Sequence, residues 1–202
     1  MAVCWYFYRF DYARYLALRP ALRSATQPAA FAAIAEGAET EAIVTSLEEG
    51  TLTLSEARNA FVQAVCCLGD PLILERGLPR FVAALRRRRG AEDAAELLGE
   101  LLTGGKNMET WLLPASGLIG FLTPEETQML RNYYATVPRR GSLRWGTARR
   151  RGVRRGGLVG ACVGFVARLF DRGPQLEEML PLLGDLIEEA ANASEGLAVV
   201  AA

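Results

Sequence analysis

Histidine is absent from all 202 residues, and Lys106 is the one lysine beside 22 arginines. The commonest general base and the commonest metal ligand are therefore missing together. Ser24, Ser46, Ser55, Ser116, Ser142 and Ser194 have no histidine to activate them, and Lys106 sits in no S-x-x-K motif. Two carboxylate pairs, Glu125-Glu126 and Glu188-Glu189, have the spacing for acid–base work. The first is explained by a helix start, where acids favour the dipole, and the second by the polar face of an amphipathic helix. A metal would need an all-oxygen cage, and no D-x-[DN]-x-[DN]-G run exists. Leu102-Thr103-Gly104-Gly105-Lys106-Asn107 resembles a phosphate loop but fails as one. The first glycine, Gly99, lies one residue too far away, and Asn107 replaces the magnesium-binding hydroxyl. A helix C-cap accounts for both Gly104 and Gly105. These residues predict no catalytic group, no metal and no cofactor.

The remaining candidates are cations and glycines. Between positions 139 and 155 there are eight arginines and no acid. Arg139, Arg140, Arg144, Arg149, Arg150, Arg151, Arg154 and Arg155 can fork onto phosphates or onto an acidic partner, and Trp145 can stack on a base. The competing reading is a solvated loop, or one neutralised by residues 173–202, which carry six acids and no base. Gly156, Gly160 and Gly164 recur every four residues and would line one helix face, for close packing within the fold or for self-association.

Charge balances over the whole chain, 23 basic against 23 acidic residues, and half of the residues are apolar. That composition buries a sizeable core and excludes a disordered polyelectrolyte. Of the four cysteines, Cys66 and Cys67 are adjacent, and no C-x-x-C occurs. Neighbouring Cα atoms lie about 3.8 Å apart, closer than the about 4.4–6.8 Å of ordinary disulfides. Cys4, Cys66, Cys67 and Cys162 are thus expected as reduced, mostly buried thiols of a cytoplasmic protein. The N-terminus lacks the basic start of a signal peptide, and the longest apolar stretch, Gly156 to Ala167, is shorter than the about 20 residues of a spanning helix.

The elements that must position these residues are mostly helices. Cys4 to Phe10 is dense in aromatics and reads as a strand buried on both faces. Tyr12 to Ser24 has helical spacing, and short alanine-rich helices follow from Pro28 to Glu49, broken at Gly37 and Gly50. Thr53 and Glu56 form a capping box for a helix that buries Leu54, Phe61, Val65 and Leu68 and carries both Cys66 and Cys67. Asp70-Pro71 reads as another helix start, with Leu72 to Leu85 helical as far as Gly77 and Pro79 allow. That segment closes on Arg86-Arg87-Arg88-Arg89-Gly90, cations beside exposed carbonyls and then a glycine stop. Glu92 to Leu102 is helical, and Thr123-Pro124-Glu125-Glu126 opens a helix to about Ala135. Leu182 to Ala191 is an amphipathic helix with Pro181 at its first turn, and Leu197 to Val200 has strand character.

Three pieces resemble the YfbM-like family of uncharacterised bacterial proteins: the N-terminal aromatic strand followed by a helix; Gly120-Phe121-Leu122-Thr123-Pro124-Glu125-Glu126; and Leu182 to Ala191 leading into Gly196-Leu197-Ala198-Val199-Val200. They cover about a fifth of the chain, and the segment 139–155 departs from the family's pattern. The resemblance implies an α+β fold whose terminal strands share a sheet, and it transfers no functional residue.

The sequence thus predicts one α+β domain over residues 1–202, predominantly helical, with a small sheet that includes the N-terminal strand and an Arg/Gly-rich loop at about 139–157. The expected function is non-enzymatic protein–protein association in the cytoplasm, as a binding or immunity-type partner, with homo-oligomers open. The alternative is nucleic-acid binding through the arginines of 139–155.

Overall fold

The computed structural model describes residues 4–34, 37–75, 78–87, 90–104, 109–112, 117–136 and 176–201. The N-terminal strand β1 (Cys4–Phe10) is the organising element. Its side chains alternate strictly. Trp5 and Phe7 enter one hydrophobic cluster, and Tyr6, Tyr8 and Phe10 enter the other. A strand apolar on both sides needs cover on both sides, and the helices supply it in chain order.

On one face lie α1 (Tyr12–Ser24), α2 (Pro28–Ala32), α3 (Ala38–Glu48), α4 (Leu54–Cys66) and a 3₁₀ turn at Thr110–Leu112. They enclose an aromatic core in which Phe10 stacks on Phe121 at 4.7 Å and Tyr15 meets Phe121 edge-on at 4.9 Å. On the other face lie α5 (Leu78–Arg86), α6 (Glu92–Leu102), α7 (Pro124–Thr136) and α8 (Leu176–Asn192). Their core is aliphatic, built from Leu85, Leu98, Leu101, Leu130, Leu183 and Ile187 against Phe7 and Val199.

The sheet between them has four antiparallel strands in the order β2-β1-β4-β3, with β2 (Cys67–Glu75), β3 (Gly117–Leu122) and β4 (Gly196–Ala201). The two terminal strands are central neighbours, from Trp5↔Ala201 to Phe10↔Gly196. Glycine is required at position 196, because a Cβ there would lie 2.3 Å from the Leu122 carbonyl oxygen. The expected fold class, a mostly helical α+β protein whose small sheet includes the N-terminal strand, is the observed one.

Local signals set most helix starts. Asp11 accepts from the Arg14 amide at 2.9 Å to cap α1. Thr53 and Glu56 form the expected box, with the Thr53 amide donating to Glu56 at 2.8 Å. Thr123 and Glu126 repeat it ahead of α7, the Thr123 amide donating at 2.9 Å and the Glu126 amide returning at 3.2 Å.

Three expectations need correction. Asp70-Pro71 does not start a helix: it lies inside β2, and the helix begins only at Leu78. Gly69 (φ 71°) opens a bulge there, and an edge strand tolerates a proline that cannot donate. For the same reason Leu68 is not on the buried stripe of α4, and Cys67 opens β2 while Cys66 closes α4. Pro181 is not in the first turn of its helix, since α8 begins at Leu176 and runs through it. The strand β3, which received no sequence reading, carries a bulge at Ile119 that sends Leu118 and Phe121 to the aromatic core and Leu122 to the aliphatic one.

Candidate functional site

Arg139, Arg140, Arg144, Trp145, Arg149, Arg150, Arg151, Arg154 and Arg155 lie outside the described residues, as do Gly156, Gly160 and Gly164. The acids expected to neutralise the arginines are partly placed. Arg9 is bridged by Glu189 at 2.9 Å and by Glu195 at 3.5 Å, and Arg131 lies 3.8 Å from Glu188. Cations of β1 and α7 therefore hold part of this acidic segment.

The phosphate-loop resemblance fails on direction. Gly104 (φ 81°) follows α6 instead of preceding a helix, so a ligand there would meet carbonyl oxygens. Thr103 Oγ1 already donates to the Gly99 and Glu100 carbonyls. A Cβ at Gly99 would lie 2.9 Å from the Arg86 guanidinium, the flexible end of an exposed side chain.

The titrations that are shifted move away from reactivity. Burial pushes the Cys66 thiol up to about 12, and the nearby Asp11 charge adds to it. Burial and the neighbouring Cys66 push Cys67 to about 12 as well. A thiol held protonated is a poor nucleophile, and Cys4, Cys66 and Cys67 are free. Tyr15 is also pushed up to about 12, by burial first and then by Glu109, which pairs with Arg19 and accepts from Trp111 Nε1. That cluster joins α1 to the 3₁₀ turn. Among the described residues no group of three or more Cys, Asp or Glu is placed to hold a metal ion, and no helix is long and apolar enough to cross a membrane.

The two edges of the sheet present the clearest asymmetry. At β3, Asn59 of α4, 1% exposed, stands in for a missing strand. Its Nδ2 donates to the Leu118 carbonyl at 3.0 Å and to that of Leu112 at 3.3 Å, while its Oδ1 accepts from the Leu118 amide at 2.9 Å. Both backbone groups of Leu118 are thereby satisfied. Gly117 (φ 103°) makes room, since a Cβ there would lie 2.8 Å from Asn59 Oδ1. Further along β3, α6 packs on the aliphatic face so tightly that a Cβ at Gly120 would lie 2.4 Å from the Leu101 carbonyl oxygen.

Among the described residues no strand and no such side chain covers the outer side of β2. Its first half is guarded by the bulge at Gly69, the exposed Asp70 and Pro71, which are devices that blunt an edge. Its second half resumes regular pairing, Leu72↔Phe7 to Glu75↔Cys4. Leu72 packs into the aliphatic core. Ile73, opposite Tyr6, faces the aromatic side and is 53% exposed, among the most exposed of the large apolar residues described. Tyr6 and Tyr8 are half-buried on the same face.

Sequence reasoning missed both edges. The trace of Asn59 was available: it is a polar residue among the buried positions Ala57, Phe61 and Val62 of α4. The trace of β2 was the run Leu72-Ile73-Leu74 directly after a proline. Comparison with protein-family models, with curated proteins and with solved structures finds no match for the chain.

Proposed function

We propose that this protein acts by associating with another protein at the open edge of β2, without catalysis, in the cytoplasm, where thiols stay reduced. The observation that carries the reading is the contrast between the edges among the described residues: at β3 Asn59 bonds the backbone of Leu118, whereas the second half of β2 leaves Ile73 exposed beside Tyr6. Natural sheets blunt or cover their edges, and an edge left unguarded over one short stretch is suited to receive a partner strand.

The test is retention of host proteins by the wild type and by Ile73→Asp, with melting temperatures compared. The reading expects a protein held by the wild type and lost by a variant of equal stability. Retention of that protein by both, or retention of nucleic acid in place of protein at physiological salt, would count against it.

A further inference from the structure

We draw no further inference here: the strongest candidate, the side-chain cluster of Tyr15, Arg19, Glu109 and Trp111 between α1 and the 3₁₀ turn, offers one buried tyrosine hydroxyl without a hydrogen-bond partner, but its carboxylate is already held by Arg19 and Trp111 and nothing among the described residues shows what would reach that hydroxyl.

Discussion

The two edges of this sheet face the same problem and meet it differently. At β3 a buried asparagine bonds the backbone of Leu118 as a fifth strand would. At β2 a bulge, an exposed aspartate and a proline mark the first half, and among the described residues no strand pairs the outer side of the second half, where Ile73 is exposed. A fold that seals one edge with a specific hydrogen-bonded residue has the means to seal both. What the difference teaches is that strand order, and not side-chain type alone, sets what each edge exposes among the described residues.

The largest effect should come from forcing α6 off the face of β3. A side chain at Gly120 must displace the Leu101 carbonyl, 2.4 Å from its Cβ, and neighbouring backbone cannot step aside as a flexible side chain does. Gly120→Val should cost about 3 kcal/mol, the upper range of overpacking, read as a lower midpoint in urea. A midpoint equal to wild type would show that α6 does not close on β3. Next is Asn59→Ala, which strands the buried amide and carbonyl of Leu118. It should cost about 2–3 kcal/mol, because unsatisfied buried groups carry their full desolvation penalty. Fast amide exchange at Leu118 in this variant would locate the damage at the edge.

Thr123 tests the exit from the same strand. Thr123→Ala removes the hydroxyl that accepts from the Glu126 amide at 3.2 Å, and should cost about 1 kcal/mol. The start of α7 would then fray ahead of its middle in hydrogen exchange. A midpoint equal to wild type would mean that the cap contributes nothing.

How much of this was legible in the sequence follows from the range of the interactions. The boxes at Thr53 and Thr123 are closed within three residues, so the sequence displays them whole, and Gly104-Gly105 mark the stop of the helix Glu92–Leu102. Pro181 misled because a proline inside a helix looks from sequence like a proline at its start, while the true start carries only the acids Glu177 and Glu178. Asp70-Pro71 misled because cap-then-proline is also how an edge strand blunts itself. Asn59 bonds to residues 53 and 59 positions away, and no local pattern encodes that. The arginines and glycines singled out between 139 and 164 lie outside the described residues, so the site offered here is not the one the sequence pointed to. An edge is a property of strand order, which exists only once the sheet has formed.

The smallest expected effect is the most discriminating. Ile73 and Leu118 are apolar residues at opposite edges, both facing the aromatic side, yet Leu118 is fully buried and Ile73 is half in solvent. Substitution by threonine keeps β-branching at 73 and introduces it at 118, and threonine suits a strand in either place. At Leu118 the change leaves a cavity and a buried hydroxyl, and should cost about 2–3 kcal/mol. At Ile73 the hydroxyl meets water, little packing is lost, and the change in stability should stay within about 0.5 kcal/mol. Paired urea titrations of Leu118→Thr and Ile73→Thr in the full-length chain decide the matter. A cost above about 1.5 kcal/mol at Ile73 would mean that the chain itself covers the residue, and the contrast between the edges would disappear. A near-zero cost, joined to a loss of partner retention, would place the selective pressure on Ile73 outside the fold, because a residue that adds nothing to stability and is required for binding is held there by what it touches.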